Sequence, residues 1–216
     1  MIKLLDILLE NTAPDILIPR RMEDRAERMI RLYIRSGSKG GLNLRNKNLT
    51  VLPAILKDIT VDGFFDCSGN KLTSLENSPK IVNGAFNCKE NMLTTLKGAP
   101  SSVGGDFCCI NNKLTSLEGA PKTVGKSFTC TFNKLTSLVG APVSVGNGFY
   151  CGDNLLTSLE GAPNIIPEYF ACNRNKLTSL KGSPQSAGDY WCSDNLVKFT
   201  EKQVRAVCKV KGDIFL

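Results

Sequence analysis

Nine cysteines and no histidine set the first chemical question in this sequence. Seven of the thiols, Cys67, Cys88, Cys109, Cys130, Cys151, Cys172 and Cys192, recur in one local phrase, and grouped thiols can hold a metal or serve as nucleophiles. Without imidazole, the mixed Cys/His zinc patterns and the histidine-based triads are excluded. The spacing argues against a shared ion as well. Thiols recurring every 21 residues on stacked strands form a line with steps of about 5 Å, and a line does not close a tetrahedron. Reduced cysteine is a small buried hydrophobe, and Leu44 fills the same slot in the first copy of the phrase, so the ladder reads as core. Cys108 differs: it lies between Phe107 and Cys109, points to the opposite face, and is either reactive or tolerated there. No Asp, Glu, Lys or Tyr recurs as a base beside a nucleophile, so the sequence predicts no enzyme, no metal site and no cofactor.

The positions where the phrase does not dictate the residue carry more functional information. One outward slot reads Asn43, Asp66, Asn87, Cys108, Thr129, Tyr150, Ala171, Trp191, and aromatic residues gather toward its C-terminal end. Phe132, Tyr150, Tyr169 and Trp191, rimmed by Asp153, Arg174 and Asp194, have the composition of a binding hot spot: large rigid side chains with a polar border. The competing reading is that Tyr169 and Trp191 pack beneath the C-terminal segment.

These side chains must be positioned by a repeat. The phrase Phe-x-Cys-x-x-Asn-x-Leu-Thr-Ser-Leu and its variants begin at Phe65, Phe86, Phe107, Phe128, Phe149 and Phe170, always 21 residues apart. A degenerate first coil runs from Leu42 and a shortened last one contains Tyr190–Asn195, which makes eight coils over residues 42–200. Phe and Cys two residues apart share one face of a short strand, and Gly-Ala-Pro on the far side predicts a non-helical back. The phrase occupies the Leu-x-Leu-x-x-Asn-x-Leu frame and so resembles the leucine-rich repeat. The short period, the Leu-Thr-Ser-Leu turn and Gly-Ala-Pro resemble the repeats of secreted bacterial effectors and, more closely, repeat proteins of large tailed bacteriophages, whose openings Met1–Leu8 also resembles. The resemblance implies a mainly β solenoid with a parallel sheet on its concave face, and Asn70 and its equivalents turned inward onto the backbone. Effectors with such repeats carry a separate catalytic domain, whereas only residues 201–216 follow the last coil here.

Both ends need covers, because each coil buries itself only against neighbours. Residues 1–41 form the expected N-terminal helical cap, with an amphipathic helix over 19–36 opened by Pro19 and burying Met22, Ala26, Met29, Ile30 and Tyr33. Residues 201–216 form the C-terminal cap, where Thr200 and Gln203 match a capping box.

A net charge of +7, spread along the chain, is mild beside the basic blocks of nucleic-acid tails. Lys71, Lys113, Lys134 and Lys176 form a stripe that Glu76, Glu118 and Glu160, five residues on, are expected to balance. No apolar run approaches the roughly 20 residues of a membrane span, and no secretory cleavage site follows the first residues, so a cytoplasmic protein is expected. The predicted function is non-catalytic protein binding, with a phage protein acting on a host factor or in the virion as the role the resemblance suggests. The alternative is nucleic-acid or glycan binding through the aromatic and basic concave face.

Overall fold

The phrase folds as its period-2 alternation requires. The computed structural model describes residues 25–216, so Pro19, Met22 and the opening segment lie outside the described residues. In each coil the Phe and Cys side chains turn inward and are fully or almost fully buried, while the residue between them faces out. The strands pair in parallel with Phe opposite Phe, from Phe65 with Phe86 through to Phe149 with Phe170. The inward rings from Phe65 to Phe170, followed by Tyr190, therefore form one column, with successive centroids between 5.0 and 6.2 Å apart. That separation suits aromatic contact, so a single ring per coil ties each layer to the next.

The resulting ten-stranded parallel sheet is one wall of a mainly β solenoid. The back is non-helical through the repeats, apart from one 3-10 turn at Ala54–Asp58. It is also more regular than Gly and Pro alone suggest. Two-residue strands at Thr60–Val61, Ile81–Val82, Ser102–Val103, Thr123–Val124 and Ser144–Val145 form a second, five-stranded parallel sheet, with each valine turned into the core.

Between the sheets and the following turn lies the asparagine ladder. Asn133 is representative: Nδ2 donates to the Cys130 carbonyl of its own coil and the Cys109 carbonyl of the coil before, both at 3.1 Å, and Oδ1 accepts from the Leu114 amide at 3.0 Å. Each asparagine is thus a staple between two coils, which satisfies backbone groups that would otherwise be buried without partners.

The helix Arg25–Arg35 buries Ala26, Ile30 and Tyr33 at the N-terminal end. At the other end Thr200 and Gln203 form the expected capping box on the helix Glu201–Val207. The chain then returns to the sheet: Lys209–Val210 pairs with Ser186 and Ala187, and Ile214–Phe215 pairs with Tyr190 and Trp191. The C-terminal segment thereby supplies a further strand layer as well as a helical lid.

Candidate functional site

On the outward side of the larger sheet, side chains from four successive coils enclose a groove of about 420 Å³. Its lining is Thr131, Tyr150, Asp153, Tyr169, Ala171, Asn173 and Trp191. Tyr150, Ala171 and Trp191 stand opposite one another on three adjacent strands. The parallel register therefore puts Tyr150 and Trp191 two strand spacings apart, about 9.6 Å, with only the Ala171 methyl between them.

The gap is kept open by small residues. Gly148 precedes Tyr150 on the same face, and a Cβ there would come within 2.7 Å of the Tyr150 ring, so the absence of a side chain at Gly148 lets the phenol lie back over it as one wall of the groove. Gly152 occupies the slot between Thr131 and Asn173, where a Cβ would crowd Asn173 Oδ1 at 2.9 Å. Neither glycine was singled out by aromatic composition. The readable signal is that Tyr150, at the end of the two-residue strand Phe149–Tyr150, has Gly148 and Gly152 two positions away on either side, a bulky ring flanked by vacant neighbours.

Four of the seven residues expected in a binding cluster, Tyr150, Asp153, Tyr169 and Trp191, line this groove. Arg174 and Asp194 stand at the rim, where the guanidinium lies 3.8 Å from Asp153 and 3.8 Å from Asp194. Phe132 stands apart. It occupies the corner after the strand with φ of 56°, in the same row as Asn111, Asp153, Arg174 and Asp194, and its ring is exposed. Phe215 packs on Trp191 at 4.7 Å between centroids, so the C-terminal segment covers part of the indole, yet Trp191 and Tyr169 each keep 42% of their surface exposed. Burial raises the Tyr150 phenol pKa, and Tyr169, Glu168 and Asp106 raise it further by charge repulsion.

The thiols have none of the character of nucleophiles or ligands. Eight are buried, and desolvation raises their pKa, to about 11 at Cys192 and Cys208 and higher along the interior ladder. Cys108 does face outward, but it is partly covered and burial raises its pKa too, so the reactive reading has no electrostatic support. Among the described residues no group of three or more His, Cys, Asp or Glu is placed to hold a metal ion.

The lysine stripe requires a correction. Glu118 pairs with Lys97 at 3.1 Å and Glu160 with Lys181 at 2.7 Å, whereas Lys71, Lys113, Lys134 and Lys176 form no ion pair among the described residues. Neighbours in a solenoid lie one period of 21 residues apart along a row, not five residues on within one coil. Glu76, Lys97, Glu118, Val139, Glu160 and Lys181 share such a row, in which opposite charges stand next to each other on either side of the neutral Val139.

No protein-family profile and no curated protein sequence matches the chain. Among solved structures, YopM from Yersinia enterocolitica WA-314 is similar over 88% of this chain and 58% of its own, at 18% identity and a TM-score of 0.34. The chain thus spans less than two thirds of the YopM chain. One short parallel strand per 21-residue coil in the larger sheet, an inward Phe-x-Cys pair and an inter-coil asparagine ladder together make this a solenoid of the leucine-rich-repeat type.

Proposed function

We propose that the chain is a non-catalytic binding module that holds a protein partner in the groove over Ala171. The observation that carries this reading is the groove itself: three large aromatic side chains and one carboxylate around a floor cleared by Gly148, Gly152 and Ala171. Rigid aromatic anchors around a desolvated centre, with charged groups confined to the rim, are the composition of interface hot spots. The resemblance of the repeats to tailed-phage proteins supports a partner that is a host factor or a virion component, met in the host cytoplasm.

The test compares what co-purifies with the tagged full chain and with its Tyr150→Ala/Trp191→Ala variant, after circular dichroism has established that both are folded. The reading expects a specific protein with the wild type that is lost from the variant. Equal recovery moves the site elsewhere. A partner that proves to be nucleic acid, released steeply by salt as phosphate contacts require, contradicts the protein reading.

A further inference from the structure

The groove is too small to be a whole interface, and at about 420 Å³ it has room for one long side chain entering from a partner. Its chemistry narrows the choice. The interior rings each pack on their neighbours, but Tyr150, Tyr169 and Trp191 make no ring contact with one another among the described residues, which leaves aromatic surface open to a guest. Asp153 is the one charged side chain in the lining. Its ion pair with Arg174 is long, at 3.8 Å, and Arg174 divides itself between Asp153 and Asp194, so an exchange of partners costs little. Glu168 and Asp106 add negative charge near the Tyr150 phenol. This local acidity stands out in a chain of net charge +7, and it opposes an anionic guest.

We propose that the groove accepts an arginine side chain from a basic segment of the protein partner, its guanidinium stacked on the aromatic walls and paired with Asp153. The inference rests on the protein-binding reading above. Arginine fits better than lysine because a planar guanidinium can lie against a ring while its N–H edge meets a carboxylate, whereas an ammonium is a strongly hydrated point charge. The register leaves about 9.6 Å between the Tyr150 and Trp191 strands with only the Ala171 methyl between them, room for a flat guanidinium to lie against a ring.

The experiment selects binders to the immobilised full chain from a random linear peptide library, then titrates synthetic versions while following tryptophan emission. Trp191 is the only tryptophan in the sequence, so the signal reports the groove. The expected result is enrichment of arginine, a saturable change in Trp191 emission, and a loss of at least about tenfold in affinity when that arginine becomes uncharged citrulline. Asp153→Asn should cause a similar loss, and the two losses should not add, because each removes the same pair. Asparagine tolerates the left-handed backbone at this position, where φ is 53°, so the variant should fold. Peptides without arginine, equal binding of the citrulline version, or no binder at all would each overturn the proposal. Should the Tyr150→Ala/Trp191→Ala variant still lose its protein partner in that event, the arginine inference fails while the protein-binding reading stands.

Discussion

Replacing Asn133 by alanine tests the inter-coil staple at a single, countable site. The side chain serves four backbone groups, but they do not suffer equally. The Cys109 carbonyl also accepts from Asn112, the Cys130 carbonyl from Asn154 and the Thr131 carbonyl from the Asn111 amide, so all three retain a partner in the variant. The Leu114 amide has Asn133 Oδ1 as its acceptor and is left buried without one. One orphaned buried donor costs about 1 to 3 kcal/mol. For a chain of this size a loss of about 2 kcal/mol lowers the melting temperature by roughly 4 to 8 °C. Hydrogen exchange sharpens the test: the Leu114 amide should lose protection, while Leu93 and Leu135, held by Asn112 and Asn154, should keep theirs in the repeats on either side. An unchanged melt together with unchanged Leu114 protection would refute the staple and the register built on it.

Three further outcomes follow from the same geometry. Unfolded thiols ionise near pH 8.5, whereas burial raises all eight interior ones, so above that pH unfolding releases protons and stability falls as pH rises. The slope is about 1.4 kcal/mol per pH unit for each thiol and about 11 for eight together, so urea midpoints should collapse between about pH 8.5 and pH 10; a flat profile contradicts a buried ladder. Phe132→Asn should raise stability by up to about 1 kcal/mol in thermal melts, because it relieves a bulky residue at φ of 56°, and it should leave groove binding unchanged because Phe132 is outside the lining. Gly125→Ala should cost about 1 to 3 kcal/mol in urea unfolding, since a Cβ there would overlap the Gly104 carbonyl oxygen of the preceding coil.

What could be read from the residues follows from where neighbours lie. The Phe, Cys and Asn columns are legible because a residue that faces the same residue one coil away is written as a period, and the eye needs no coordinates to stack Phe107 on Phe128. The alternating Glu76–Lys97–Glu118 row was equally available at that period, yet a reading along one coil paired Lys113 with Glu118 and missed it. The second sheet was not legible, because Ser102–Val103 is too short to show alternation and is a strand only by virtue of Ile81–Val82 and Thr123–Val124 beside it. In the groove, Tyr150, Asp153, Tyr169 and Trp191 were found by composition. Phe132 belongs to the same row as Asp153, and both have a left-handed backbone, but Phe132 lies one coil nearer the N-terminus, where Thr131 and not the corner residue lines the groove. Sequence leaves Trp191 open between groove and cap, and the structure gives it a share in both: the C-terminal strand brings Phe215 onto the indole but covers only part of it.

The most direct test of the central claim is a hydrogen-exchange footprint of the full chain with and without the partner recovered by affinity capture. The account predicts added protection confined to the outward groove segments, 148–153, 169–173 and 189–193. Protection centred instead on Ser102, Thr123 and Ser144 of the back sheet, or on the helix Arg25–Arg35, with the groove segments unchanged, would contradict it.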